Sequence, residues 1–337
     1  MTTIKKTTAL FFSLFILSAL SPLLAGGDAT PFLGRWAIHF EGGMGWLEVR
    51  QEQGYLDADL LWIGGSVTPV ANVFISNGTL VVTRTYSATF ENATGQTRTH
   101  TLTQTLELEG KGDKLIGKMT APKKDGSGAS VTYVHATRIP DLPAAPDLSK
   151  VTYGKPVKLL GNGLSGWRLL EAGAVNGWKV EKGILVNDPV QKEGEPHIHY
   201  GNLRTDAVFE DFNLKLSVNV PAGSNSGVYL RGIYEVQVVD SYGKELDSHN
   251  MGALYSRITP IQAAEKKPGE WQTMDITLCD RHLTVILNGV KIIDNQPVYG
   301  ATGGAITADE SLAGPIYLQG DHGNISYKDI ILTPIVK

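Results

Sequence analysis

The chain has almost no cysteine: among its 337 residues only Cys279 carries a thiol. One thiol cannot close an intramolecular disulfide, so no disulfide framework is expected. Cys279 sits in the strand-like run WQTMDITLCDRHLTVIL, where an isolated cysteine reads as a small buried hydrophobe. A nucleophilic thiol would need a nearby base and polar surroundings. Basic runs are missing as well, and the formal net charge is −4, which excludes a nucleic-acid binder. No glycine-rich loop follows a strand and opens a helix, so no nucleotide cofactor is expected. No amphipathic helix of any length is apparent beyond a turn near 261–265.

Long apolar runs are scarce too. The one at the N-terminus, LFFSLFILSAL (10–20), is shorter than the ~20 residues a spanning helix needs. Lys5 and Lys6 precede it, and Ser21-Pro22 and the small residues Ala25, Gly26 and Gly27 follow, as in a secretory signal peptide over 1–26. No cysteine follows for a lipoprotein anchor. The expectation is a secreted or periplasmic protein with no stable membrane span once the signal is removed.

What the chain has instead is turns. Gly 38 and Pro 16, scattered without period, separate short alternating segments, which predicts an all-β protein. Roughly eight such segments over 28–138 suit a small β-barrel or sandwich, and the opening FLGRW resembles the first strand of lipocalin-like barrels. Residues 139–156 carry Pro140, Pro143, Pro146 and Pro156 without apolar periodicity, which reads as a semi-stiff linker. Ten or more strands over 157–337 predict a two-sheet jelly-roll sandwich. Within it HLTVILNGVKII is a hairpin, Asn288-Gly289 suiting a type I′ turn.

The stretch SNSGVYLRGIYEVQVVDSYG (224–243) alternates apolar residues with Arg231, Glu235, Gln237 and Asp240. A strand with one face on a core would turn this polar set outward as a hydrogen-bonding floor. Arg231 offers a fixed cationic fork for an oxyanion, or else a structural ion pair with Glu235. Glu235 and Gln237, two apart, share a face; Glu235 is a candidate base or metal ligand, Gln237 a partner for sugar hydroxyls. Asp240, at the strand end, is a second candidate base or ligand. The run LQGDHG (318–323) adds Gln319, Asp321 and His322, the histidine a candidate acid or base, unless Asp321 merely caps a turn. Lys267 and Trp271 could line a cleft, Trp271 by stacking on a sugar or else as a core residue. His197 and His199, in EPHIHYG, have chelating spacing but no third ligand nearby in sequence. His249 lies on a loop that could cover a cleft.

Three blocks, NSGVYLRGIYEVQVVDSYG, PGEWQTMDITLCDRHLTVILNGVKIIDN and GPIYLQGDHGNISYKDIILTPI, resemble the 3-keto-disaccharide hydrolase family in order and spacing over 158–335. A signal peptide and small barrel ahead of such a domain are likewise similar to its secreted bacterial members. The resemblance implies a concanavalin-like jelly roll acting on glycosides oxidised to a ketone at C3. That ketone acidifies the C2 hydrogen, so a base can remove it, the C1 leaving group departs by β-elimination, and hydration completes a net hydrolysis. Glu235, Asp240, Arg231 and His322 are then expected as the working set, with Tyr229, Gln237, Lys267, Trp271 and Gln319 around the substrate. A divalent metal ion on some of Glu235, Asp240 and His322 stays open. The small oxidised sugar would come from a separate glycoside 3-dehydrogenase. Two other readings stand beside this one: a carbohydrate-binding module of the cell envelope and an ordinary two-carboxylate glycosidase.

Overall fold

The computed structural model describes residues 27–161 and 163–336, so the 1–26 signal segment lies outside the described residues. Among the described residues the chain is all-β apart from one 3₁₀ turn, Thr30–Phe32.

Nine antiparallel strands come first: Gly34–Phe40, Gly43–Gln51, Leu56–Trp62, Thr68–Pro69, Asn72–Ser76, Thr79–Glu91, Thr97–Lys111, Lys114–Pro122 and Ala129–Arg138. Their order in the sheet is fourth, third, second, first, ninth, eighth, seventh, sixth, fifth. The two edge strands are therefore consecutive in sequence, with only Val70 and Ala71 between them. So short a link can join opposite edges only if the sheet is rolled up, as in a barrel. Alternate residues such as Trp36, Ile38, Leu47, Leu60, Leu80 and Leu106 fill the interior. Phe32 plugs one end, and its carbonyl accepts the Trp36 indole N–H at 2.8 Å.

Two further sheets face each other beyond residue 150. The larger runs Trp178–Glu181, Ile184–Asn187, Ile325–Val336, Phe212–Asn219, Trp271–Cys279, His282–Leu287, Val290–Pro297, with Thr152–Tyr153 and Val157–Lys158 also paired to Ile325–Val336. The smaller runs Trp167–Leu169, Leu203–Thr205, Tyr317–Leu318, Asn225–Leu230, Tyr234–Val239. Between them Val228, Leu230, Val236, Val238 and Leu318 pack with Leu214, Leu216, Ile276 and Leu332 in one core. Asn288 and Gly289 both have positive φ, 52° and 83°, which a type I′ hairpin requires. Cys279 is buried.

The proline-rich segment lies along the sandwich. Arg281 Nη2 donates to the carbonyls of Pro140 (2.9 Å) and Asp141, and Asn295 donates to that of Pro146 at 3.0 Å.

Barrel and sandwich also share a core, since Ala37, Met44, Trp46 and Leu61 pack into the sandwich cluster. Arg257 lies 4.2 Å over the Trp46 ring and donates to the Ala301 carbonyl. The Gly304 N–H donates to Ile63 O at 3.2 Å. At Gly303 the chains run so close that a Cβ would stand 2.1 Å from the Gly65 carbonyl oxygen.

Candidate active site

The smaller sheet packs one face on the sandwich core, and its register fixes which residues share the other, polar face, itself largely buried. Glu235 pairs with Tyr229, Tyr229 with Tyr317, and Tyr317 with Arg204, making one row across four strands. The next row is Gln237, Gly227 and Gln319, the last joined by its N–H to Gly227 O at 3.1 Å. A cleft of about 890 Å³ opens over this face. Tyr317, Gln319 and Asn202 reach it from the floor, and 170–175, His199, Tyr200, Asp321 and His322 from one side. Gly304, Ala305 and Ile306 line it opposite, with Gly42, Gly43, Met44 and Ile63 of the barrel.

Glu235 lies behind this surface and is 3% exposed. Gly227 makes its place: a Cβ there would stand 2.2 Å from Glu235 Oε1. Burial pushes the carboxyl up to about 8, with the Tyr229 hydrogen bond pulling the other way. Tyr229 Oη is 2.9 Å from Glu235 Oε2 and 2.6 Å from the Gly303 carbonyl oxygen. One phenolic proton cannot serve two acceptors at full strength. Both contacts are satisfied together when Glu235 is protonated and donates to Tyr229, in accord with its raised pKa. Burial also raises the Tyr229 phenol itself, and Glu235 adds to the effect, so Tyr229 stays neutral. Tyr229 and Tyr317 stack with centroids 4.0 Å apart. Beside them Gln319 lines the cleft, while its Oε1 is buried with no hydrogen-bond partner.

The sequence set divides here. Glu235, Gln237, Tyr229, Gln319 and His322 come to the one sheet face and its rim. Arg231 does not: the chain turns after Leu230, Arg231 adopts φ 57°, and its guanidinium donates to the carbonyls of Glu310 and Leu312. Its Nε and Nη2 donors are spent on holding that loop. Asp240 has the opposite parity to Glu235 and Gln237, and its Oδ2 accepts the Gly223 N–H at 3.0 Å, capping a turn. Trp271 belongs to the larger sheet, where Lys328 Nζ lies 4.2 Å over its ring. Lys267 closes the turn before it through its carbonyl. Neither borders the cleft. His249 bridges barrel and sandwich, its Nε2 2.9 Å from Ser66 Oγ.

Sequence reasoning missed Gly227, whose only signal is the lack of a side chain opposite Gln237. It also missed Gly303 and Gly304, which let the barrel approach and leave room for the Tyr229 hydroxyl.

Two groups of three ligand atoms occur among the described residues, His197, His199, Asp321 and Asp211, Cys279, Asp280. Glu235, Asp240 and His322 are in neither. Asp321 Oδ1 accepts the Tyr200 N–H at 2.8 Å, and Oδ2 lies 3.1 Å from His197 Nε2 and 3.3 Å from His199 Nδ1. Burial raises the Asp321 carboxyl, but the Tyr200 N–H and the two imidazoles outweigh it and hold it below its ordinary value.

Among the described residues no helix is long and apolar enough to cross a membrane.

Solved structures resemble parts of the chain. Two proteins of Parabacteroides distasonis, described as candidate glycosyl hydrolases, align at 28% and 25% identity with TM-scores of 0.44 and 0.40. They cover 57% and 53% of this chain and 93% and 98% of their own. A carbohydrate-binding module from Bacillus subtilis aligns at 11% identity and TM-score 0.34, over 49% of this chain and 93% of its own. No curated protein gives a significant match. The model of the 3-keto-alpha-glucoside-1,2-lyase-like domain matches residues 155–333, more than half of the chain. That match makes this protein a member of the 3-keto-alpha-glucoside-1,2-lyase-like family, a family that acts on carbohydrates.

Proposed function

We propose that this chain cleaves 3-keto-glycosides by removing the C2 proton and expelling the C1 substituent. The observation that carries the reading is Glu235: a carboxyl buried behind the cleft floor, without a cationic partner, its pKa raised to about 8. A base of that strength suits a carbon acid activated by a neighbouring ketone better than an ordinary carboxylate does.

The ionised Glu235 takes the proton from C2, and the C2–H electrons form the enolate with the C3 ketone. As the enolate re-forms the ketone, the C1–O bond breaks and leaves a C1=C2 double bond. His322, exposed at the cleft rim, donates a proton to the departing oxygen. Water then adds across C1=C2, completing a net hydrolysis. Gln319, which lines the cleft, binds a sugar hydroxyl through its amide, while Tyr229 donates to the ionised carboxylate. Arg231 and Asp240 take no part, since Arg231 Nε and Nη2 and Asp240 Oδ2 are committed elsewhere. The ketone must be made first, so a separate glycoside 3-dehydrogenase supplies the substrate.

The test compares a chromogenic 3-keto-glucoside with its unoxidised parent. Release from the keto compound alone, lost in Glu235→Gln, is expected. Release from the parent would instead mark an ordinary glycosidase, and binding of both without release a binding module.

A further inference from the structure

We propose that His197, His199 and Asp321 form a binding site for one divalent transition-metal ion, with an open coordination position toward the cleft. Sequence separates the third ligand from the pair by more than a hundred residues, and the fold brings it back.

Ligands about 2.0–2.2 Å from a tetrahedral zinc-type ion stand roughly 3.3–3.6 Å apart. Asp321 Oδ2 lies 3.1 Å from His197 Nε2 and 3.3 Å from His199 Nδ1, and the three atoms all fall within 4.8 Å of one another. The site therefore needs only small side-chain adjustments to close on an ion. Its supports are already in place. The Tyr200 N–H holds Asp321 Oδ1 at 2.8 Å and leaves Oδ2 aimed at the imidazoles. Gln191 clasps the peptide between the histidines, donating through Nε2 to Ile198 O (2.8 Å) and accepting the Ile198 N–H at Oε1 (3.0 Å). Groups that orient ligands in this way tune metal affinity.

Two imidazoles and one carboxylate favour zinc and its transition-metal neighbours over calcium or magnesium, which take oxygen ligands. Three protein ligands with one position left open is also the pattern of a reactive rather than a sealed structural site. His199 and Asp321 line the cleft beside His322, so a substrate oxygen can supply the fourth ligand. The ion would then polarise a keto or hydroxyl oxygen and stabilise charge that gathers there. Binding of the ion is independent of the lyase reading; its action on a substrate oxygen rests on that reading.

The full chain, stripped of metal by chelator dialysis, is titrated with zinc and with calcium by calorimetry. One zinc per chain and no calcium binding are expected. His197→Ala and His199→Ala should each abolish saturable zinc binding without changing the melting temperature of the metal-free protein, since both side chains are largely exposed, at 52% and 86%. Gln191→Ala should weaken binding about tenfold. Absence of saturable binding, or binding that survives both histidine substitutions, overturns the site. Glu235→Gln should bind zinc as the unaltered chain does, so loss of turnover and loss of metal are told apart. Cobalt-loaded protein is then mixed with a 3-keto-glucoside. A shift in its visible spectrum is expected, and an unchanged spectrum overturns the open position.

Discussion

Glu235 and Glu310 are buried almost equally, 3% and 2% exposed, and burial raises the pKa of both. Their surroundings are opposite. Around Glu310, Arg281 Nη1 lies 3.5 Å from Oε2 and the Tyr234 hydroxyl donates to the same oxygen at 3.0 Å. Arg257 and Arg35 also work against the rise. This carboxylate sits where barrel, linker and sandwich meet, because Arg281 also donates to Pro140 and Asp141 and Arg257 stacks on Trp46. Around Glu235 the one side-chain partner is the neutral Tyr229. Cationic neighbours favour the charged form of a buried acid, and their absence favours the neutral form. The first arrangement holds structure together, and the second keeps a proton ready to move.

The largest effect expected from this contrast is on turnover. Glu235→Gln should lower keto-glycoside cleavage by about 10²–10⁴-fold while the chain folds normally, as checked by steady-state rates and circular dichroism. Glu310→Gln should do the reverse. It leaves Arg281 buried without its counter-charge, at a cost of about 3–5 kcal/mol in denaturant unfolding, and should keep the pH midpoint of whatever activity remains. Gly227→Ala sharpens the comparison, because its methyl would intrude on Glu235 Oε1. Displacing a catalytic group by about 1 Å costs on the order of 10²-fold, so kcat/KM should fall with little change in overall structure.

A smaller effect separates the acids by pH. Between the ordinary value of 4.5 and about 8, folded Glu235 keeps a proton that the unfolded chain has released. Its contribution to stability is therefore full below that window, declines through it and is gone above. The melting temperature of Glu235→Gln relative to the unaltered chain should accordingly rise with pH across the window and then level off. Activity should move the other way in the unaltered chain, climbing across the same window as the base ionises. The smallest effect belongs to the surface bridge: His249→Ala, which removes the contact to Ser66, should cost about 0.5–1 kcal/mol and leave the pH profile alone.

Much of this was legible in the residues. Alternation and turn chemistry specified an all-β chain, and the spacing of Glu235 and Gln237 put both on one face, since parity along a strand is local. Parity also separates Asp240 from them, a signal present in the sequence. Arg231 was misleading for a different reason: its spacing suits the same face, but the strand ends at Leu230 and the left-handed turn carries the side chain away. Nothing local tells that Trp271 belongs to the other sheet. Asp321 joins His197 and His199 only because 318–323 and 197–200 meet at one end of the smaller sheet, and sequence distance hides such pairings.

The barrel's place at the cleft carries a consequence for what can enter. Residues 42–44 and Ile63 stand across one side of the opening, locked there by the near-contact of Gly303 with Gly65. An open sheet face accepts a sugar chain of any length, because nothing stops its ends. Under the proposed function, a face with a fixed obstruction would act as a gauge: a compact glycoside would fit against it, and a polymer running past Tyr317 would collide with a second folded body.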